Sequence, residues 1–235
     1  MSTHSRLDEL YAGLGGAELL RPLITQVFAG KIALVSSFGA EAAVLTHMVA
    51  QIDPATPVLF VDTKRLFPET LAYRDALIKQ LKLSDVRTYE PSGEAIARHD
   101  PDATLFERDA DACCDFRKIE PMERALRGFT AWISGRKRYH GADRAAIPTL
   151  EAADWRLKIN PLADWGPAEI AAYFEEHELP RHPLVAQNYL SIGCMPCTTP
   201  VKEGEDPRAG RWRGSAKTEC GIHFTHNGEP IRAAV

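Results

Sequence analysis

A single thiol near the end of the chain has the surroundings of a nucleophile. Cys220 stands between a glutamate and a glycine, and His223 follows three residues later. The preceding segment 208–213 is basic, and neighbouring cations favour the reactive thiolate by lowering the pKa of a cysteine. A lone cysteine is more often an inert, small apolar residue, but no apolar periodicity surrounds this one. Cys220 is therefore the candidate nucleophile, and the glycine after it lets the backbone approach a substrate closely.

The other four cysteines form two pairs, which leaves Cys220 as the unpaired fifth. Cys113 and Cys114 are adjacent, whereas two residues separate Cys194 from Cys197. Four thiolates can hold a structural zinc ion or an iron–sulfur cluster. Neighbouring side chains on a helix diverge by about 100°, which suits the separate corners of a cluster better than one ion. Spacing alone nevertheless leaves zinc and cluster open, and a redox dithiol of Cys194 and Cys197 is a third alternative.

The composition is that of a soluble globular protein. Its 235 residues are 45% hydrophobic and 26% charged, and the formal net charge is −4. Neither a signal peptide nor a membrane-spanning run is recognisable, and five cysteines without a secretion signal argue against a disulfide framework. Basic residues cluster at 117–144 and 202–217, a pattern that suits a small anionic ligand better than nucleic acid. We therefore expect a cytoplasmic protein that binds neither nucleic acid nor membrane.

Hydrophobic periodicity predicts strands that alternate with helices. This alternation predicts an α/β fold with a mainly parallel, twisted sheet. We expect residues 1–197 to form one domain and 198–235 to form a mobile tail that carries Cys220 over the site. The predicted strands are 32–35, 58–61, 85–89, 131–134 and 156–159, and the predicted helices are 6–28 with a break at residues 15–16, 42–49, 68–81, 104–128 with interruptions at the cysteine pair and Pro121, and 167–177.

Polar residues follow the predicted strands where each one ends. In open parallel sheets, ligands bind beyond the carboxyl ends of the strands. The loop 36–41 leads into a helix, an arrangement that directs backbone N–H groups and the helix N-terminus toward an anion. The loop has no Walker lysine, so it is not a GTPase-type phosphate loop, and alone it would pass for an ordinary turn. The strand ends carry Ser36, Ser37, Asp62, Arg65, Gly135 and Arg136.

Taken together, these residues resemble the assimilatory sulfonucleotide reductases, in particular the adenylyl-sulfate (APS) reductases that carry a [4Fe–4S] cluster. Members that use the 3′-phosphorylated nucleotide, PAPS, typically lack the two cysteine pairs, so all four thiols favour APS. Two positions depart from the family pattern: Ala42 replaces a second acid, and Lys64 replaces a glycine. The resemblance rests on the segments 36–41, 62–70, 113–121, 135–138, 191–197 and 217–223.

The resemblance implies the adenine nucleotide α-hydrolase-like fold of the PP-loop enzymes. The implied reaction reduces APS to sulfite and AMP through an S-sulfocysteine on Cys220, with thioredoxin or a glutaredoxin-type dithiol as reductant. We also expect a homo-oligomer. The implied ligands of the [4Fe–4S] cluster are Cys113, Cys114, Cys194 and Cys197. The implied substrate-binding residues are Ser36, Ser37, Gly39, Asp62, Arg65, Lys118, Gly135, Arg136, Arg144, Arg208, Arg211 and His223.

Three alternatives remain at this point. The first is a PAPS reductase, or an enzyme that accepts both nucleotides. The second, from another class, is a zinc-stabilised nucleotide-binding module without thiol chemistry. The third is a PP-loop ATP pyrophosphatase such as a tRNA thiolase, against which the absence of a broad basic face counts.

Overall fold

A six-stranded, mostly parallel sheet organises the part of the chain that the computed structural model describes, which is residues 3–141, 144–153, 155–215 and 217–219. The spatial order of the strands is β3-β2-β1-β4-β6-β5. Neighbouring strands run parallel except β5, which is antiparallel to β6. The strands are β1 (Ile32–Val35), β2 (Val58–Val61), β3 (Val86–Tyr89), β4 (Ala131–Ile133), β5 (Leu150–Ala153) and β6 (Arg156–Ile159).

Helices cover both faces of this sheet. No helix among the described residues is long and apolar enough to cross a membrane. The α-helices are α1 (Thr3–Leu10), α2 (Gly16–Pro22), α3 (Ala42–Ile52), α4 (Pro68–Leu81), α5 (Gly93–His99), α6 (Leu105–Arg108), α7 (Ala110–Cys114), α8 (Glu120–Ala125) and α9 (Pro167–Glu176). Short π-helical turns span Leu23–Val27 and Asp115–Ile119, and 3₁₀ turns span Arg138–His140, Pro183–Gln187 and Met195–Cys197.

The central strands bury side chains on both faces. Leu34 of β1 and Ile133 of β4 belong to the larger core, together with residues of α2, α3, α4 and α9. Ala33 and Trp132 point to the opposite face, where they pack with Met122 of α8. Burial on both faces explains why these strands are continuous apolar runs in the sequence rather than alternating ones.

The predicted fold class is confirmed, and most predicted elements coincide with observed ones. The helical segment 104–128 is interrupted at the predicted places, because α7 ends at Cys114, a π-helical turn follows, and α8 begins beside Pro121. A further break, which was not predicted, lies at Asp109, whose side chain accepts a hydrogen bond from the Ala112 amide at 2.8 Å and caps α7. Pro121 lies in the first turn of α8, where the missing N–H of a proline costs nothing.

Among the α-helices and strands of the described residues, α5 and β5 were not predicted. Helix α5 is short and buries no residue, so no apolar periodicity marks it. Strand β5 holds a glutamate and two alanines in its four residues, and these residue types are depleted in strands.

The strand order creates a crevice between β1 and β4. From β1 the chain proceeds outward through β2 and β3 on one side, and it returns to β4 and β6 on the other side. The loops that leave β1 and β4 therefore diverge in opposite directions. Such a switch point is where open α/β sheets bind ligands.

Candidate active site

A cleft of about 230 Å³ opens at the carboxyl ends of β1 and β4. Its walls come from the loop after β1, the loop after β4, the π-helical turn after α7 and the segment that follows residue 190. Cationic side chains converge on it from three separate parts of the chain, so the cleft suits a small anionic ligand. Nine of the residues predicted to bind substrate line it: Ser36, Ser37, Gly39, Lys118, Gly135, Arg136, Arg144, Arg208 and Arg211.

The loop after β1 is shaped by its own hydrogen bonds. The Phe38 amide donates to Ser36 Oγ at 3.2 Å, and the Ala42 amide donates to the Gly39 carbonyl at 3.1 Å. Phe38 has a left-handed φ of 48°, which its fully buried ring stabilises through edge-to-face packing on Phe60. Helix α3 begins directly after the loop, and its first turn lines the cleft. An anion in the cleft would therefore meet the N-terminus of a helix.

Glu41 of this loop is neutralised from the loop after β4. Lys137 Nζ lies 2.8 Å from its carboxylate, His140 Nε2 lies 3.5 Å away, and the Tyr139 hydroxyl also donates to it. Burial alone would raise the pKa of Glu41, but the bonds from His140, Lys137 and Tyr139 hold it well below its usual value. Neither Lys137 nor His140 was among the residues predicted to bind substrate, although Lys137 adjoins Arg136 at a predicted strand end.

Arg136 is held by a buried network beneath the cleft. Its Nη1 donates to Glu151 at 2.9 Å, and the same carboxylate accepts from Lys158 Nζ at 3.2 Å and from Asn160 Nδ2 at 3.1 Å. Burial and the nearby charge of Arg136 together lower the pKa of Lys158 to about 7, against the attraction of Glu151. This network was not predicted from the sequence. Lys158 was visible as a charge inside an apolar strand, but Glu151 lies on β5, which was not predicted.

The described part of the predicted tail packs against the rest of the chain. The Val201 amide donates to the Asn188 carbonyl at 2.9 Å, and the amide of the buried Trp212 donates to the Cys197 carbonyl at 3.1 Å. Within the tail, the Thr199 amide donates to the Gly210 carbonyl at 2.8 Å. This returning loop brings Arg208 and Arg211 to the cleft. Arg211 packs so closely on Gly193 that a Cβ there would collide with its guanidinium.

Glu219 ends the described part of the tail and pairs with two cleft residues. Its carboxylate accepts from both Nε and Nη2 of Arg144, the second at 3.0 Å, and it lies 3.3 Å from Arg208 Nη2. Burial would raise the pKa of Glu219, but the hydrogen bonds and charges of Arg144 and Arg208 lower it to about 2. The carboxylate is therefore ionised at any physiological pH.

Asp62 and Arg65 lie after β2 as predicted, but neither lines the cleft. Asp62 accepts a hydrogen bond from the Lys64 amide at 2.8 Å, and Arg65 faces the cysteines, with its Nη2 3.8 Å from Asp100. Lys64 has a left-handed φ of 58°. A glycine adopts this conformation without steric cost, which explains physically why glycine is usual at this position in the resemblance.

All four paired cysteines line one small cavity next to the cleft. Arg65, Arg117 and Lys118 also line it, and none of the four thiols is in a disulfide. Among the described side chains, no three His, Cys, Asp or Glu residues are grouped so as to hold a metal ion. The thiols are instead spread around the cavity, and an all-thiol donor set of this kind fits an iron–sulfur cluster. Lys118 and Cys194 line both the cavity and the cleft.

The thiols differ in their electrostatic surroundings. Burial raises the pKa of Cys113 to about 11, and burial together with the nearby Cys194 also raises the pKa of Cys197. The pKa of Cys194 is lowered in spite of burial, because the charge of Lys118 and a hydrogen bond with Thr63 Oγ1 at 3.2 Å stabilise its thiolate.

Cys220 and His223 lie outside the described residues. Their assignments as nucleophile and substrate-binding residue therefore stay predictions, as does the division of the chain into a domain and a mobile tail.

The combination of a cationic cleft at a parallel-sheet switch point and four converging thiols defines an α/β protein with an anion-binding type of cleft and a thiol centre. The family model described as the phosphoadenosine phosphosulfate reductase domain matches residues 31–200. The chain therefore belongs to the phosphoadenosine phosphosulfate reductase family, and the resemblance inferred from its motifs is confirmed.

Within this family, the chain is similar to reductases of both nucleotides. The adenosine 5′-phosphosulfate reductase of Mesorhizobium japonicum is 50% identical over 219 residues, which cover 93% of this chain and 86% of the relative. The phosphoadenosine 5′-phosphosulfate reductase of Gloeobacter violaceus is 40% identical over 203 residues, or 83% of each chain. A crystal structure of phosphoadenylyl-sulfate reductase from Candida auris in a phosphate complex superposes with a TM-score of 0.72 at 26% identity, covering 85% of this chain and 98% of that one.

Proposed function

We propose that the protein reduces adenylyl sulfate to sulfite and AMP in assimilatory sulfate reduction, with Cys220 as the nucleophile. One observation carries the proposal: Lys118 and Cys194 line both the cationic cleft and the thiol cavity. A cleft built only to bind a nucleotide would not need four thiols behind its wall. The relative from Mesorhizobium japonicum, named as an APS reductase, supports the same reaction.

The cleft residues offset the negative charge of the nucleotide. The loop 36–41 and the N-terminus of α3 offer N–H groups to the phosphate. The cations at the mouth, Lys118, Arg144, Arg208 and Arg211, stabilise the charge that gathers on the phosphosulfate oxygens during attack. His223 is assigned to the same task from its place in the 217–223 motif. Asp62 and Arg65 support the site from outside the cleft, through the turn after β2 and the cysteine cavity.

The chemical step is a displacement at sulfur. The Cys220 thiolate attacks the sulfur of the sulfate group, a sulfur–sulfur bond forms, and the sulfur–oxygen bond to the phosphate breaks. AMP leaves with that electron pair, and an S-sulfocysteine remains. A thiolate of a dithiol protein, thioredoxin or a glutaredoxin-type reductant, then attacks Cys220 Sγ, and sulfite leaves with the bonding pair. The second thiol of the reductant resolves the mixed disulfide and restores the Cys220 thiol, so the reductant supplies both electrons.

We propose further that Cys113, Cys114, Cys194 and Cys197 hold a [4Fe–4S] cluster. Such a cluster would join α7 and the turn 195–197 at one point and set the local electric field, without supplying the electrons of the reaction. Lys118 adjoins both the thiols and the cleft, so its charge acts on both. The buried pair of Arg117 and Asp100 fixes the turn that carries Lys118.

A reducing cytoplasm is the setting that keeps Cys220 and its dithiol partner functional, and we assign the protein to it. Assembly into a homo-oligomer belongs to the same proposal. Sedimentation of the purified protein measures it directly, and a monomer at micromolar concentration would contradict it.

The competing function is reduction of PAPS, because the Gloeobacter violaceus relative is named as a reductase of that nucleotide. The paired cysteines favour APS, because PAPS-specific members of the family typically lack them. Steady-state assays with reduced thioredoxin separate the two, since sulfite and AMP should be released from APS with a kcat/KM that exceeds the value for PAPS. Comparable values would indicate a dual-substrate enzyme, and release from neither nucleotide would leave the zinc-stabilised binding module as the better account.

A further inference from the structure

The three residues before Cys220 form a strap, Lys217–Glu219, that is fastened at both ends. Lys217 Nζ is paired with Asp111 of α7, two residues before the cysteine pair. At the other end, the Glu219 carboxylate accepts two hydrogen bonds from Arg144, which follows β4. Between them, the Thr218 carbonyl accepts a hydrogen bond from Arg208 at 2.7 Å. The strap therefore runs from the thiol centre to the cationic mouth of the cleft.

The pair at the Glu219 end is built as a strong contact. The side chain of Glu219 is only 4% exposed, and those of Arg144 and Arg208 are 11% and 13% exposed. A carboxylate that accepts two N–H bonds from one guanidinium is held in both distance and orientation. Without this partner, Arg144 would keep its charge in a poorly hydrated site, which is costly.

Arg144 and Arg208 are also residues that we assign to the phosphosulfate of the substrate. The Glu219 carboxylate thus connects the segment before Cys220 to the two arginines that would hold the phosphosulfate group. Glu219 is adjacent to Cys220 in the chain, so whatever fixes Glu219 restricts the positions open to its neighbour. Restricting reactants in this way converts an encounter into a near-unimolecular step.

We propose that Glu219 is a positioning residue, which holds the segment bearing the nucleophile against Arg144 and Arg208 at the cleft. The proposal rests on the proposed function in so far as Cys220 is the attacking thiol. It assigns to Glu219 no contact with the substrate and no proton transfer. It also gives Lys217 a supporting role, because the pair with Asp111 anchors the far end of the strap.

The test compares Glu219→Gln with wild type in the complete, metal-loaded protein. Glutamine keeps the size and the acceptor oxygen of glutamate but loses the charge that binds two guanidinium groups. We expect the single-turnover rate of sulfonate transfer from APS to Cys220 to fall by about 10- to 100-fold, as misplacement of a reacting group does. AMP affinity should stay near the wild-type value, since the variant removes no group that touches the nucleotide. Glu219→Asp, which keeps the charge, should recover part of the rate.

Glu203→Gln is the matched control, because Glu203 is an exposed acid on the same tail. Its rate should equal that of wild type. A wild-type rate in Glu219→Gln would overturn the proposal. So would a loss of rate matched by an equal loss of AMP affinity, which would mean that Glu219 maintains the substrate site rather than the nucleophile.

Hydrogen exchange provides a readout that does not depend on the reaction of Cys220 with APS. Amides of residues 214–219 should exchange faster in Glu219→Gln than in wild type or Glu203→Gln. Equal exchange rates in all three proteins would show that the contact of Glu219 with Arg144 and Arg208 does not hold the strap, and would overturn the proposal. If wild type forms no adduct with APS while exchange still quickens in Glu219→Gln, the proposed function fails and the fastening of the strap stands.

Discussion

At the scale of single residues, the ion pair between Arg117 and Asp100 illustrates how the thiol centre is supported. Their side chains are 3% and 0% exposed and lie 2.7 Å apart, and Arg117 also donates to the Thr63 carbonyl at 2.9 Å. Arg117 thereby joins the turn after the cysteine pair to the loop after β2. The pair fixes the backbone from which two of the four thiols project.

Asp100→Asn should destabilise the fold by about 3–5 kcal/mol, because it leaves a guanidinium buried without its counter-charge. Urea unfolding of the metal-loaded protein measures this loss. Asp102→Asn is the control, since Asp102 pairs with Arg108 on the surface, where both side chains are about half exposed, and exposed pairs contribute little. Equal effects of the two substitutions would contradict the structural role given to Asp100.

Lys158 predicts a specific dependence of stability on pH. In the folded protein its pKa is lowered to about 7, whereas the ordinary value is 10.5. Between these values the unfolded chain binds a proton that the folded chain does not, so raising the pH favours folding. Lys158→Met removes this contribution. Its stability should therefore rise less steeply than that of wild type between pH 7 and 10, as measured by urea unfolding at several pH values, and parallel curves would contradict the lowered pKa.

At the scale of elements, the thiol centre depends on two turns that are distant in sequence. The first is the π-helical turn Asp115–Ile119, which directly follows α7. The second is the 3₁₀ turn Met195–Cys197. An antiparallel bridge between Leu66 and Cys194 holds the second turn beside the loop after β2. The two pairs of cysteines meet only because the sheet brings these turns together.

Cys197→Ser should reduce the iron content and remove the visible absorption of the purified protein, because serine replaces a thiolate ligand with a weaker one. Cys220→Ser should leave both unchanged, since that thiol is not assigned to the cluster. Iron analysis and an absorbance spectrum of the three proteins decide the matter. A wild-type protein that contains zinc and no iron would contradict the cluster.

The elements also show what could be predicted from sequence and what could not. Strands such as Val58–Val61 are short apolar runs with clear boundaries. Of the residues predicted at the strand ends, those after β1 and β4 line one cleft, whereas Asp62 and Arg65 after β2 do not. By contrast, Glu151 could not be assigned to Arg136, because it lies on a strand without a strand-like pattern. The pair of Arg144 and Glu219 joins residues 75 positions apart, and no local pattern encodes such a contact.

Lys64 and Phe38 show a second reason why parts of the structure could not be predicted from the sequence. The left-handed backbone of Phe38 is accompanied by packing of its ring on Phe60, and that of Lys64 by a hydrogen bond from its amide to Asp62. Neither residue type favours this conformation, so local propensity alone does not predict it. The resemblance to the family identified Lys64 as unusual only because glycine is usual there. The positive φ of Lys64 explains why glycine suits that position.

At the scale of the whole molecule, charge is distributed unevenly. The chain carries a net charge of −4, yet its cleft is lined by Lys118, Arg136, Lys137 and three further arginines. Some of this charge is balanced by Glu41, Glu151 and Glu219, whose carboxylates come from three different segments. The cleft is therefore a cationic site within an acidic protein, which favours a small dianion over a polyanion such as nucleic acid.

The central step of the proposed reaction is the transfer of a sulfonate group from the nucleotide to one cysteine. The direct measurement incubates the anaerobic protein with labelled APS in the absence of any reductant and then locates added mass by peptide mass spectrometry. We predict one sulfonate per chain on Cys220 and one AMP released, with no adduct in Cys220→Ser. Release of AMP with Cys220 unmodified, or an adduct that persists in Cys220→Ser, would contradict the account.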